Sequence, residues 1–151
     1  MQSAIIFDMD GTLANVSSIR HHLTTFDATK RRVIKHFDAF HAASVDVPPN
    51  ASVVNHAQVA HMLGHAVIIV TARKAMWRNH TAMWLAINGV PSDALFMRAD
   101  DDNRKDFDVK ADILDAIEHT WNVIHAVDDN PSVIALWESR GIPTTVVEGW
   151  E

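Results

Sequence analysis

The chain begins with a short apolar run that ends in two acids one residue apart, Ile5-Ile6-Phe7-Asp8-Met9-Asp10-Gly11-Thr12-Leu13. Residues 4–7 are continuously apolar, which is typical of a strand buried on both faces, and the glycine at position 11 predicts a sharp turn. A period of two places Asp8 and Asp10 on the same side, at the carboxyl edge of a sheet, where open α/β folds bind ligands. Two carboxylates this close repel each other unless a cation or a shared proton intervenes. The motif therefore favours a Mg²⁺ site, with a hairpin turn and ordinary solvated aspartates as the alternative.

The composition limits the class of protein. With 151 residues, 48% of them hydrophobic, the chain fits one domain whose core needs neither metal nor disulfide. It has no cysteine, which excludes thiol chemistry. No apolar stretch approaches the roughly 20 residues that span a bilayer, and no secretory leader pattern is present, so we expect no membrane partner and a cytoplasmic location. A net charge of −6 disfavours nonspecific coating of nucleic acid but is compatible with a local basic pocket for a strand end.

Alternating strands and helices predict an α/β fold. Short apolar runs predict strands at residues 4–7, 66–70, 94–97, 123–127 and 144–147. Helical spacing predicts helices at residues 28–43, 52–63, 74–88, 109–119 and 131–140. In the helix at 74–88, the residues expected to face inward are Met76, Met83, Trp84 and Ile87. This order is typical of a five-stranded, parallel, doubly wound sheet with helices on both faces.

Residues 14–50 are too long for a simple connection. We interpret them as a small helical cap or flap over the strand edge, within a single domain of residues 1–151. Two groups of basic side chains lie in this segment, His21-His22 and Lys30-Arg31-Arg32. They could meet an anionic substrate, or they could form a solvated helical face.

Further polar residues follow the other predicted strands. Thr71 can bind phosphoryl oxygens through its hydroxyl, or it can cap a helix. Lys110 lies near a helix start, where its ammonium would neutralise both a phosphate and Asp8; the alternative is a surface lysine. The pair Asp128 and Asp129 is either a cap or a hard-cation site. The strand ends bring these groups to one edge of the sheet, so together they predict phosphoryl-transfer chemistry beside one divalent cation.

In this order the chain resembles the haloacid dehalogenase (HAD) superfamily at all four of its motifs: Asp-Met-Asp-Gly-Thr-Leu at 8–13, Thr71, Lys110 and the acid pair at 128–129. The resemblance covers most of the chain except residues 14–50. It implies a Rossmann-like five-stranded sheet and phosphatase-type chemistry, with Asp8 as nucleophile and Asp10 as general acid and base. It also implies catalytic roles for Thr71 and Lys110. The implied cofactor is Mg²⁺, held by Asp8, the Asp10 carbonyl, Asp128 and Asp129.

A finer resemblance, in residues 97–110 and 128–149, is to the phosphatase domain of the phage polynucleotide kinase-phosphatase. The substrate-binding residues that it implies are Arg73, Arg98, Arg104 and Asp106, with Asp106 as the positioning partner of Lys110. Arg20 could supply a further substrate contact from the flap. The implied substrate is a phosphomonoester, for which the 3′ end of a nucleic acid, a nucleotide and a small metabolite are candidates. Asn130 stands where the phage pattern has arginine. The sequence has no G-x-x-x-x-G-K-[ST] loop, so we expect no kinase domain in this chain.

A phospho-acceptor receiver module is the non-enzyme alternative, because it also combines an α/β sheet with acids, a threonine and a lysine. In receivers the acceptor aspartate ends the third strand. The third predicted strand of this chain ends instead beside Arg98. Repeated release of phosphate from an aryl phosphate would separate the two, since a receiver stops after one turnover.

Overall fold

A central sheet organises the chain. The computed structural model describes residues 1–22, 24–27, 32–35 and 37–149, and their side chains except those of residues 20–38 and 41. The strands are β1 (Ser3–Phe7), β2 (Thr24–Asp27), β3 (Arg32–Lys35), β4 (Ala66–Lys74), β5 (Ala94–Arg98), β6 (Asn122–Asp128) and β7 (Thr144–Val146). The α-helices are α1 (Phe37–Ala43), α2 (Ala51–Met62), α3 (Arg78–Ile87), α4 (Asp106–Glu118) and α5 (Pro131–Ser139).

Five parallel strands form the sheet, in the order β5-β4-β1-β6-β7. The chain moves outward from β1 through β4 to β5 on one side and then returns to build β6 and β7 on the other. The order therefore reverses beside β1, and a crevice opens at the carboxyl ends of the strands on either side of such a point. The predicted five-stranded parallel α/β fold is confirmed.

Alternating residues of β1 face two separate cores. Ile5 and Phe7 pack with α2, α3 and parts of the segment that follows β1. Ala4 and Ile6 pack on the other face with α4 and α5. Since both faces of the strand are covered, its sequence is a continuous apolar run rather than an alternating one.

The segment at 14–50 differs from its prediction. The proposed helix at 28–43 is wrong: β2 and β3 pair in antiparallel fashion, and among the described residues of this range only Phe37–Ala43 are α-helical. Short 3-10 turns at Ser17–His22 and Ser44–Asp46 flank these elements. The physical reason is in the composition of the two strands, where Thr24, Thr25, Val33 and Ile34 are β-branched and favour extended pairing over a helix. That the segment acts as a cap, and that residues 1–151 form one domain, stay predictions.

The bounds of β4 and α3 also differ from their predictions, as do the residues of α3 that are buried. β4 continues to Lys74, so Thr71 lies inside the strand rather than after it. A 3-10 turn at Ala75–Trp77 precedes α3, which begins at Arg78. The buried positions of α3 are Thr81, Trp84 and Leu85. Three of the four residues predicted to face inward are exposed, namely Met76, Met83 and Ile87.

No helix in the described part of the chain is long and apolar enough to cross a membrane. The cytoplasmic location stays a prediction.

Candidate active site

The loop after β1 carries the two acids of the opening motif. The backbone N–H of Asp8 donates to the Val127 carbonyl at 3.0 Å, which extends the pairing of β1 with β6 into the loop. Gly11 has a φ of +80°, and a Cβ there would lie 2.1 Å from an oxygen of Asp129. Only glycine fits this position, because the turn requires a left-handed backbone and the Asp129 carboxylate approaches it closely.

Lys110 joins the ends of β1 and β6. Lys110 is 2% exposed. Its ammonium nitrogen lies 2.7 Å from Asp8 Oδ1 and 3.1 Å from Asp128 Oδ2. Burial alone would lower the pKa of Lys110, but the negative charges of Asp128 and Asp8 outweigh burial and raise it. The lysine is therefore held as a cation against the predicted nucleophile. The alternative of a surface lysine is wrong.

Asp128 is the anchor of Lys110. Its Oδ1 accepts the backbone N–H groups of Asp129 and Asn130 at 2.8 and 3.0 Å. Its Oδ2 accepts Lys110 Nζ and, at 3.3 Å, the buried indole N–H of Trp137. Four donors thus converge on one carboxylate, which fixes where the ammonium sits.

Asp8, Asp128 and Asp129 form the buried acidic group of the site. One carboxylate oxygen from each lies within 4.8 Å of the others. The Thr12 hydroxyl lies 3.1 Å from one oxygen of Asp8 and from one oxygen of Asp129. Burial raises the pKa of Asp8 well above its usual range, the charge of Asp128 raises it further, and Lys110 opposes this only in part. Burial likewise raises the pKa of Asp129. The group carries more negative charge than Lys110 balances, so it could hold a metal ion.

Asp10 points away from this group and pairs with Arg73. The guanidinium Nε and Nη2 donate to the two carboxylate oxygens at 2.9 and 2.5 Å, and Nη1 donates to Thr81 Oγ1 at 3.1 Å. Arg73 is 1% exposed. Burial acts to lower the pKa of Arg73, but the charge and hydrogen bonds of Asp10, together with the charge of Asp8, outweigh burial and raise it. The arginine expected to face phosphate therefore orients the predicted acid and base.

The remaining predicted residues have mixed placements. Thr71 is buried, and its hydroxyl accepts the backbone N–H of Arg73 at 3.2 Å. Asp106 pairs with Arg98 at 2.8 Å, and the described bonds of Lys110 go to Asp8 and Asp128 instead. No described hydrogen bond joins Asp106 to Lys110, and the role of Asp106 as the positioning partner of Lys110 stays a prediction.

Of the two other predicted arginines, one lies away from the acidic group, and the side chain of the second lies outside the described part of the chain. Arg104 is on the surface, where it pairs with Asp102 and Asp112. Arg20 has a side chain outside the described part of the chain, as do the two basic groups at 21–22 and 30–32.

Three residues around the site were missed. Thr12 lies within the opening motif, four residues after Asp8, and could have been included on that ground. Trp137 lies in α5, and nothing in the sequence of that helix indicates that its N–H meets Asp128. Thr81 gives no sequence indication, because its contact depends on where Arg73 points.

Comparisons with known proteins agree with this geometry. A family model described as "Polynucleotide kinase PNKP phosphatase domain" matches residues 2–149. Over 80 residues, 52% of this chain and 12% of the relative, the sequence is 31% identical to a "Putative bifunctional polynucleotide kinase/RNA ligase" of Autographa californica nuclear polyhedrosis virus.

Solved structures give the same picture. A chain in the structure of a Pnkp1/Rnl/Hen1 complex is 26% identical, with a TM-score of 0.79 over 97% of this chain and 46% of that one. A haloacid dehalogenase-like hydrolase from Streptococcus pneumoniae shares the fold, at 16% identity and a TM-score of 0.69 over 96% of this chain and 84% of that one. The chain thus spans less than half the length of the viral relative and of the matched chain in the complex.

Proposed function

The chain belongs to the family of polynucleotide kinase-phosphatase (PNKP) phosphatase domains, and from this we propose that it is a Mg²⁺-dependent phosphomonoester hydrolase that forms an aspartyl-phosphate on Asp8 and removes 3′-phosphates from polynucleotides. One observation carries the proposal. Lys110 is held between Asp8 and Asp128, while Arg73 holds Asp10 separately. The two acids of the opening motif therefore have different partners, as a nucleophile and an acid/base pair require.

In the first step a carboxylate oxygen of Asp8 attacks phosphorus in line. The new bond is the acyl phosphate, the bond to the ester oxygen breaks, and Asp10 as a carboxylic acid gives its proton to the leaving oxygen. Lys110 lies close enough to Asp8 to stabilise negative charge on the transferred group.

In the second step water attacks the same phosphorus. Asp10 takes the proton of the water, inorganic phosphate leaves, and the Asp8 carboxylate is restored. The bidentate pair with Arg73 supports both steps, because it holds the carboxyl group of Asp10 in one orientation for proton transfer.

The donor set fits Mg²⁺, which prefers carboxylate and carbonyl oxygens. Asp8 and Asp129 would hold the ion, together with the Asp10 carbonyl, while Asp128 has four protein donors on its oxygens. Burial and the charge of Asp128 both disfavour the carboxylate form of Asp8, and a bound ion would offset them and so favour the carboxylate that attacks.

The polynucleotide substrate is proposed from the relatives. The family description and the viral relative both name polynucleotide kinases, and the matched Pnkp1 chain lies in a complex with Rnl and Hen1. The second candidate is a nucleotide or a small metabolite phosphate, which the net charge of −6 favours over a long nucleic-acid contact. The family assignment decides against the receiver-like alternative.

Release of inorganic phosphate from matched substrates tests this proposal. We would compare a 3′-phosphorylated oligonucleotide, its 5′-phosphorylated isomer, a 3′-nucleotide and a sugar phosphate, each with Mg²⁺ and with EDTA. We expect the highest kcat/KM for the 3′-phosphorylated oligonucleotide and no release in EDTA. A preference for the nucleotide or sugar phosphate would overturn the polynucleotide assignment. Full release in EDTA would overturn the role of Mg²⁺.

A further inference from the structure

Arg98, at the end of β5, has a buried guanidinium whose hydrogen bonds all run to the protein's own groups. The residue is 8% exposed. Its Nε donates to the Ala72 carbonyl at 2.8 Å, and its Nη1 donates to the carbonyls of Asp102 and Arg104 at 3.0 and 2.5 Å. Its Nη2 donates to Asp106 Oδ1 at 2.8 Å. Each of the three nitrogens is therefore used, and the side chain is a crosslink rather than a free phosphate ligand.

One end of this crosslink meets an irregularity in β4. Thr71 pairs with Met97 and Lys74 pairs with Arg98, so residues 72 and 73 have no partners on β5. Such a bulge re-aims side chains. Here it buries Arg73, which reaches Asp10. The Ala72 carbonyl inside the bulge accepts Arg98 Nε.

The other end of the crosslink meets the start of α4. Asp106 is the first residue of this helix, and the Asp102 and Arg104 carbonyls belong to the loop that leads into it. Lys110 follows Asp106 by four residues, so the two lie one turn apart on the same helix face. The rotation and depth of that first turn therefore determine where the Lys110 ammonium lies relative to Asp8.

We propose that Arg98 is a positioning residue that locks the β4 bulge to the start of α4, and so aims Arg73 at Asp10 and Lys110 at Asp8 together. The inference rests on the proposed phosphatase function of the same site. It specifies how Asp106 would position Lys110: Asp106 acts through the helix start that Arg98 holds. A lysine at position 98 would keep the charge but could not reach four acceptors on three sides, because it ends in a single nitrogen.

Steady-state kinetics of Arg98→Lys and Arg98→Gln test the proposal, on a model aryl phosphate with Mg²⁺. We expect both variants to lower kcat by about 10-fold to 100-fold, since small misplacements of reacting groups have effects of this size. We expect KM to change much less than kcat, because Arg98 does not touch substrate. Arg140→Gln is the matched control. Arg140 also pairs with two acids, Asp115 and Glu118, but it lies at the C-terminal end of α5, remote from the acidic group. We expect wild-type kcat and KM in this variant.

Asp106→Ala keeps the test decisive if the Arg98 variants do not fold. The Asp106 side chain is 45% exposed, so its loss leaves the core intact. We expect a smaller fall in kcat, with no further fall when Asp106→Ala is combined with Arg98→Gln in a folded protein.

Four results would overturn the positioning role. They are a wild-type kcat in Arg98→Lys, a raised KM with unchanged kcat in either Arg98 variant, an additive double variant, and an unchanged kcat in Asp106→Ala. Failure of the wild-type protein to release phosphate would instead overturn the proposed function, and the positioning role with it.

Discussion

At the scale of single residues, the site separates two carboxylates that are neighbours in sequence. Asp8 faces Lys110 inside the acidic group, while Asp10 faces Arg73. Like charges so close would otherwise raise each other's pKa. The separation gives each acid its own cationic partner, which suits the two different roles that we propose for them.

Trp137→Phe tests the anchoring of Lys110 through Asp128. The change removes the indole N–H that lies 3.3 Å from Asp128 Oδ2, in a residue with no exposed surface. We expect kcat to fall about 10-fold, because a hydrogen bond to a charged group contributes roughly 1.5–3 kcal/mol. Trp121→Phe, at the opposite end of the sheet, is the control and should keep wild-type kcat. Equal kcat in both variants would show that the indole does not position Asp128.

Some residue contacts could be predicted from sequence and others could not. The motif acids and Lys110 lie at strand and helix ends whose positions follow from local patterns, so their convergence was predictable. The partner of Asp106 was not predictable. Its i, i+4 spacing to Lys110 is compatible with a contact to Lys110 and equally with a contact to a third residue. Arg98 provides that contact from a neighbouring strand.

At the scale of elements, the segment after β7 packs on the loop at 8–13. The Val147 N–H donates to the Asp128 carbonyl at 2.9 Å, and the chain then passes directly over Gly11. A Cβ built on Gly149 would lie 1.9 Å from the Gly11 carbonyl oxygen. The glycine is therefore required by close approach of two backbones, and the position of the loop at 8–13 depends on it.

Gly149→Ala should displace the loop at 8–13. We expect a loss of about 1–3 kcal/mol in the free energy of unfolding, the usual range for overpacking, together with a lower kcat. Denaturant unfolding and steady-state kinetics measure the two effects. Glu148→Ala, at the exposed neighbouring position, should change neither. Wild-type stability in Gly149→Ala would contradict the close packing of the two loops.

The sheet was easier to predict than the elements around it. Strands buried on both faces give continuous apolar runs, which is why β1, β4 and β6 were located within a few residues. The hairpin of β2 and β3 was missed because Val33 and Ile34 also fit a helical period when the pairing partner is unknown. The β4 bulge has no local pattern at all, since it exists only relative to β5.

At the scale of the whole molecule, the proposed metal site would link folding to the binding of a cation. Asp8, Asp128 and Asp129 are buried beside the ammonium of Lys110. Without a cation, the repulsion among these buried carboxylates lowers the free energy of unfolding. A cation that binds only the folded state stabilises it by mass action.

Mg²⁺ should therefore raise Tm. At a free Mg²⁺ concentration of about one hundred times Kd, the free energy of unfolding should rise by about 2.7 kcal/mol. For a chain of this size, this raises Tm by roughly 5–10 °C. Asp129→Asn should abolish the shift, whereas Asp115→Asn, whose carboxylate is exposed, should keep it. A full Mg²⁺ shift in Asp129→Asn would place the ion elsewhere.

A second global effect concerns pH. Burial lowers the pKa of His125, and the nearby His56 adds to the shift. The unfolded chain therefore binds a proton below about pH 6.5 while the folded chain resists it, so stability should fall as pH drops through this range and stay constant above it.

Urea unfolding across this pH range measures the effect. In His125→Gln the fall should be reduced, while His119→Gln, at the exposed end of α4, should retain the wild-type slope. The slopes are compared rather than the absolute stabilities, since His125 also lies 2.7 Å from the Thr145 hydroxyl. Identical slopes in His125→Gln and wild type would assign the pH dependence to other groups.

The most direct test of the central claim is phosphate release by Asp8→Asn, measured beside wild type with Mg²⁺ on a 3′-phosphorylated oligonucleotide and on an aryl phosphate. An amide cannot form the acyl phosphate, so turnover should fall by more than about 10⁴-fold on both substrates, with the fold retained. A rate near that of wild type in folded Asp8→Asn would show that Asp8 is not the nucleophile.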